Sequence, residues 1–226
     1  MGTSPDRMLP ARLPKAAIPQ TYRLIAPTHD WLAAIVERQA RQLGWEKAGI
    51  SDGERVLIVA VGTGLTLKHV LQANPSGYVE GIDLTPAMLH KAQRRAQASG
   101  HPNCHLRIGD AYDLEVPDHS FDLIINNYMF DLLPVDDFVP VLNGYFRALR
   151  PEGRLVQVNM TPGNRWYNHI WEGFYRLHPA LLGGCRGVET AEYLKEAGFT
   201  NVERTYVSQA TFPSEVVRGV KPTTTP

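Results

Sequence analysis

Residues 56–83 read VLIVAVGTGLTLKHVLQANPSGYVEGID, and the reading of the fold starts there. Val56–Val61 is an unbroken apolar run, the pattern of a strand buried on both faces. Gly62, Thr63 and Gly64 turn the chain tightly. Leu65–Leu71 then reads as the start of a helix, and Tyr78–Ile82 as a second short strand with Asp83 at its tip. The result is one β-α-β unit with glycines at the first crossing and a carboxylate at the end of the second strand. Such a unit suits an adenosine-bearing ligand. Glycine lets the backbone approach the ligand closely, and the helix N-terminus offers free N–H groups. The carboxylate accepts hydrogen bonds from both ribose hydroxyls. A dinucleotide is disfavoured, because its G-x-G-x-x-G fingerprint needs a third glycine where Leu67 stands.

Composition sets the bounds. The 226 residues are 43% hydrophobic, enough for one sizeable α/β domain with additions. Lys+Arg and Asp+Glu stand at 23 each, so no global field favours nucleic acid or an anionic membrane. Cys104 and Cys185 are too few for a disulfide framework and point to a reducing compartment. No apolar run has the length of a transmembrane segment, and the N-terminus lacks the apolar core of a signal peptide. A cytoplasmic location is therefore expected. Residues 1–20, with prolines at 5, 10, 14 and 19, are expected to be extended. Residues 21–226 are expected to form one domain carrying an aromatic-rich insertion at 163–184.

Upstream of the β-α-β unit, Leu32, Ile35, Val36, Gln39 and Leu43 form a helical stripe, with Asp30 as its expected N-cap and Gly44 as its expected end. Downstream, Thr85, Pro86 and Gly100 bracket a helix over Pro86–Ser99. Cys104–Ile108 is a third strand and FDLIINN (Phe121–Asn127) a fourth. A helix over Val135–Leu149 follows, and the turn Pro151-Glu152-Gly153 leads into a fifth strand. A short helix at Glu189–Ala197 and two strands over Val202–Val217, arranged as a hairpin, complete the chain. Strands alternating with helices imply a largely parallel, doubly wound sheet, in which ligands bind beyond the carboxyl ends of the strands. Those ends carry Gly62-Thr63-Gly64, Asp83, Asp110 and Asn126-Asn127. Four separate strands thus deliver small or polar residues to one edge.

With VLIVAVGTG, GIDLTPAMLHKAQRRA, IGDAYDLEVPDHSFDLIINNYMFDLL and NGYFRALRPEGRLV in this order, the sequence resembles the class I S-adenosylmethionine-dependent methyltransferases, particularly the ubiquinone/menaquinone C-methyltransferase-like group. The likeness runs from about Tyr22 to Val207. It implies a Rossmann-like seven-stranded sheet with N-terminal helices and a lid at the aromatic insertion. It also implies S-adenosylmethionine as cofactor. By this resemblance Gly62, Thr63 and Gly64 would line the methionine and ribose portion, and Asp83 would hold the ribose hydroxyls. Ile82 would pack on the adenine, Asp110 and Ala111 would meet its amino edge, and Asn126 and Asn127 would meet the methionine end. Tyr22 would close over the cofactor. The chain departs from the family pattern in three places. Ile58 stands where many relatives carry an acid near the methionine ammonium, Ala60 and Val61 replace small residues, and His29-Asp30 replaces Tyr-Asp.

Methyl transfer needs alignment and exclusion of water more than it needs acid–base groups. A base is required only if the acceptor must lose a proton. His29, Tyr128, Asp131 and His169 are the candidates, with His29 favoured for its titration range and Asp131 as a possible anchor for a polar group. Each has a plainer reading, His29 as a helix cap and Asp131 as a solvated loop carboxylate. Arg94-Arg95 reads as a solvated helix surface. In the insertion, Trp166, Ile170 and Phe174 form one helical stripe and Tyr167, Trp171 and Tyr175 another. The insertion serves as a pocket lid, as packing on the N-terminal helix, or as both. His101 and His105 do not share a helical face across Pro102, so no metal site is expected. The expected partner is a small apolar or aromatic acceptor. A cofactor-binding protein without transferase activity stands as the alternative reading.

Overall fold

Alternation along the first strand, β1 (Arg55–Val59), generates the layers of the molecule. Leu57 and Val59 join the core on one face of the sheet, Val56 and Ile58 the core on the other, and all four are at most 2% exposed. The structure is a computed structural model describing residues 8–177 and 183–223, and the side chains of residues 25–29, 32 and 34 lie outside that description. The other strands are β2 (Tyr78–Asp83), β3 (Cys104–Ile108), β4 (Phe121–Asn127), β5 (Leu149–Met160), β6 (Thr200–Gln209) and β7 (Phe212–Val220). They form a seven-stranded sheet in the order β3-β2-β1-β4-β5-β7-β6. Only β7 runs against its neighbours. The helices are α1 (Ile18–Val36), α2 (Arg38–Ala48), α3 (Leu65–Ala73), α4 (Pro86–Ser99), α5 (Phe138–Ala148), α6 (His169–Leu177) and α7 (Ala191–Glu196). Val141, Leu142 and Tyr145 of α5 and Leu194 of α7 cover the Leu57 face. Ala40 of α2, Val70 of α3 and Leu89 of α4 cover the Ile58 face. No helix among the described residues is long and apolar enough to cross a membrane.

The N-terminal helices begin and end elsewhere than the sequence predicts. A 3-10 turn at Lys15–Ala17 leads into α1 at Ile18, with Pro19 in its first turn, where a missing N–H costs nothing. Asp30 therefore lies within the helix rather than capping it. Gly44 does not end a helix either. It is buried inside α2, where a Cβ would come within 2.9 Å of Val158, so its smallness lets the helix approach β5. The end falls at Gly49, in the left-handed conformation (φ 52°). The Pro151-Glu152-Gly153 turn is absorbed as an irregularity within β5, whose pairing with β4 jumps from Phe121↔Leu149 to Leu123↔Arg154. The last two strands form the expected hairpin. Its two-residue loop, Ala210 and Thr211, is left-handed at both positions (φ 47° and 68°).

Candidate active site

A cavity of about 260 Å³ opens at the carboxyl ends of β1, β2 and β4, where the strand order turns back on itself. On the β2–β3 side its wall is polar and held by backbone. Gly62 (φ 57°) donates its N–H to Asp83 Oδ2 at 2.7 Å, and Thr85 donates its own to Asp83 Oδ1 at 2.8 Å. The Asp83 carboxylate is thus oriented by two amides before any ligand arrives. Asp110 and Ala111 follow β3 on the same wall. Lys15 donates to Asp110 Oδ2 at 2.6 Å while lying 3.8 Å from the centre of the Tyr112 ring. Next to this wall, Thr63 Oγ1 donates to Asp30 at 2.5 Å, and Arg95 bridges Asp30 (2.6 Å) and the Thr63 carbonyl. Burial works to raise the Asp30 pKa, yet the hydrogen bonds from Thr63 and Arg95 hold it below its ordinary value. Arg95 is therefore a clamp between α1, α4 and the glycine turn, not a solvated surface residue.

On the β4–β7 side the wall is apolar and aromatic. Tyr128, Leu132, Leu133, Trp171 and Phe212 line it, with Trp171 packed edge-on against Phe212 at 5.1 Å between ring centres. Trp171 donates its indole N–H to Thr211 Oγ1 at 3.1 Å, so α6 is tied to the tip of the β6–β7 hairpin. The same tip holds α1 and α2, because Gln209 accepts from the Gln39 N–H at 2.6 Å and donates to the Ile35 carbonyl. Tyr22 Oη lies 3.6 Å from Cys185 Sγ. Burial pushes both groups, and the Tyr128 phenol, to pKa values well above their ordinary ones. Glu37 and Arg41 pair across one helical turn, and the guanidinium stands 5.5 Å from the centre of the Tyr128 ring. Ala60 and Tyr128, just past the ends of β1 and β4, are both left-handed (φ 56° and 52°). This strain costs roughly 1 kcal/mol each for residues with a Cβ.

Comparison with known proteins gives this geometry a family. The sequence profile of a methyltransferase domain matches residues 56–153. Demethylmenaquinone methyltransferase of Lactobacillus johnsonii is 29% identical over 194 residues, covering 81% of this chain and 78% of that protein. An uncharacterized protein of Haemophilus influenzae is 30% identical over 190 residues, covering 77% and 72%. The chain belongs to the class I S-adenosylmethionine-dependent methyltransferases. The crystal structure of the cyclase SpnF superimposes on this methyltransferase with a TM-score of 0.74 at 17% identity, over 96% of this chain and 99% of that one, a likeness of fold.

The residues present fit the cofactor of the family. The pre-oriented Asp83 carboxylate and the left-handed Gly62 share one cavity wall with Asp110 and Ala111. Of the cofactor residues expected from sequence, Tyr22, Gly62, Thr63, Asp83, Asp110, Ala111 and Asn127 line the cavity of the methyltransferase. Three do not. Ile82 turns into the core at 1% exposure, while Leu84, which follows the end of β2, lines the cavity instead. Asn126 is buried and donates to the Val59 carbonyl at 3.0 Å, bracing β4 against β1. Gly64 (φ 87°) starts α3 and is confined by Ala92, 3.0 Å from where its Cβ would stand.

The two catalytic candidates fare differently. His29 falls within α1, and its side chain lies outside the described residues. Asp131 is no solvated loop carboxylate. It is fully buried behind the cavity wall, accepts the Met160 N–H at 3.3 Å through Oδ2 and has no hydrogen-bond partner on Oδ1. Desolvation pushes its pKa up to about 7, with Glu37 adding to the rise and Arg186 opposing it. Several residues of the site carry no mark in the sequence. Lys15, Glu37, Arg41 and Cys185 reach the cavity only through the packing of α1, α2 and the segment before α7. Leu84 shares the parity of Ile82 and reaches the wall only because the chain leaves β2 at Asp83, so alternation does not point to it.

Proposed function

We propose that the methyltransferase transfers a methyl group to a small apolar or aromatic acceptor lodged against the β4–β7 wall. The reading rests on one observation above others, the aromatic and aliphatic lining by Tyr128, Leu132, Leu133, Trp171 and Phe212. The likeness to demethylmenaquinone methyltransferase, whose name describes a quinone acceptor, points the same way. Bound S-adenosylmethionine supplies an activated methyl group on a sulfonium. In this proposal Asp83 holds the ribose, Asp110 and Ala111 take the adenine edge, Leu84 covers its face, and Thr63 and Asn127 border the methionine end. Tyr22 and Trp171 close the cavity from α1 and α6 and exclude water, with α6 acting as a lid. Asp131 lies behind the wall, so we assign it no contact with the acceptor. The balanced charge of the chain favours a small acceptor over a nucleic acid.

The test is acceptor-dependent formation of S-adenosylhomocysteine. A reduced naphthoquinone with an apolar tail is expected to turn over, and the same ring bearing a charged tail is not. Trp171→Ala is expected to raise KM for the apolar acceptor about tenfold, the cost of one aromatic contact, without changing S-adenosylhomocysteine binding. Equal turnover of the charged and apolar acceptors would sink the assignment of the apolar wall.

A further inference from the structure

The cofactor's amino-acid end carries an ammonium and a carboxylate, and both need partners when they enter a cavity walled by aliphatic and aromatic groups. The family resemblance of the sequence implies an acid from the first strand there. In this chain that position is Ile58, which lines the cavity with an apolar side chain. The charged groups on the wall among the described residues are Lys15, Glu37, Arg41, Asp83 and Asp110. Lys15 and Asp110 bind each other on the β3 side, and Asp83 is engaged by the amides of Gly62 and Thr85. Glu37 and Arg41 also pair with each other, but beside the Tyr128 ring rather than on the β3 side: a negative and a positive group four residues apart, with side chains 14% and 11% exposed.

Their placement is distinctive. Glu37 is the joint between α1 and α2, with φ −115° and ψ −8°, so neither helix interior accounts for it. Arg41 leans toward the ring of Tyr128, the residue that follows β4, and β4 pairs with β1 in the register Val59↔Asn126. The pair therefore faces the gap between the ends of β1 and β4. Arg41 Nε is buried with no hydrogen-bond partner. A salt bridge so desolvated gains little from its own attraction, and a buried donor left unpaired adds to the cost. Opposite charges held side by side are complementary to an α-amino acid.

We propose that Glu37 and Arg41 receive the amino-acid end of the cofactor, Glu37 taking its ammonium and Arg41 its carboxylate, in place of the acid that Ile58 lacks. This rests on S-adenosylmethionine being the ligand of the cavity. The experiment is calorimetric titration with S-adenosylhomocysteine and with 5′-methylthioadenosine, which keeps the adenosine and lacks the amino acid, on the wild-type protein, Glu37→Gln and Arg41→Gln. Each substitution is expected to weaken S-adenosylhomocysteine by about 10- to 100-fold, the range for a lost charge-assisted hydrogen bond, and to leave methylthioadenosine within about twofold. Unchanged methylthioadenosine binding also reports an intact fold. The inference is overturned if both variants hold S-adenosylhomocysteine as tightly as wild type, or if the two ligands weaken together. Wild-type protein that bound neither ligand would overturn the cofactor reading itself, a separate and recognisable result.

Discussion

The two ends of the cavity are built by different means. The β2–β3 end is made of backbone, from turns adjacent in the chain. Gly62 and Thr85 fix Asp83, and Asp110 follows one strand later. The opposite end is assembled from side chains far apart in sequence. Tyr22 meets Cys185, Trp171 meets Thr211 and Phe212, and Gln209 meets Gln39. A site made of local backbone is preorganised wherever the β-α-β unit folds. A site made of distant side chains exists only while the helices stay docked. The β2–β3 end should therefore survive changes that loosen the other.

Arg186 offers the largest break. It is 1% exposed, and its guanidinium donates to the carbonyls of Leu9, Asp131 (2.9 Å) and Leu133 (2.6 Å), joining the N-terminal segment to the loop after β4. Arg186→Leu would strand three carbonyl acceptors, those of Asp131 and Leu133 buried and that of Leu9 partly so. We expect a loss of about 5 kcal/mol in urea unfolding, with methylthioadenosine affinity retained in whatever fraction stays folded. A loss below about 1 kcal/mol would mean that the loop does not depend on this anchor.

Asp131 sets the next effect through pH. Its folded pKa, about 7, lies above the ordinary value of 3.8 because burial disfavours the charged form. The native state therefore binds more protons than the unfolded state between those values, and stability falls as pH rises through that window. Above it both states are ionised and the dependence ends. The penalty reaches up to about 4 kcal/mol. Unfolding free energies of wild type and Asp131→Asn, measured from pH 4 to pH 8, should diverge in favour of the variant as pH rises. Parallel curves would remove Asp131 as the cause. At the other end, Asp83→Ala should cost about 3 kcal/mol of S-adenosylhomocysteine binding, roughly a hundredfold by calorimetry, and about 1 to 3 kcal/mol of stability as the Gly62 and Thr85 N–H groups lose their acceptor. An affinity within about threefold of wild type would show that this end does not rest on Asp83.

The same contrast explains what could be read in advance. Apolar runs, glycine turns and strand tips are periodic or local signals, so the sheet, most helices, Gly62, Asp83 and Asp110 were legible. Strand parity gives no warning that Ile82 stands in the core, since Leu84 on the wall has the same parity and differs only in lying past the end of β2. Gly44 shows the limit of local reading. A glycine near the end of a helical stripe looks like a stop, and only the distance to Val158 reveals it as a contact surface. Arg95, Asp30 and Arg186 were illegible for a related reason. A charged side chain on a helix or loop looks solvated until the partner that buries it is known, and those partners lie 32 to 177 residues away.

The smallest effect tests how the N-terminal segment meets the preorganised end. Lys15 and Asp110 form an ion pair whose side chains are 47% and 33% exposed, so its worth to stability is at most about 1 kcal/mol. Its bearing on the cofactor is more specific, because Lys15 engages the carboxylate proposed to accept the adenine amino group. If the two compete, Lys15→Ala should bind S-adenosylhomocysteine about two- to fivefold more tightly at low salt, and the difference should shrink in about 0.5 M salt as screening weakens the pair. If Lys15→Ala instead binds more weakly, the lysine closes over the adenine from the Tyr112 side as part of the site. The cavity end built of local backbone would then need a residue delivered by a distant segment, and the division between the two ends would not hold there.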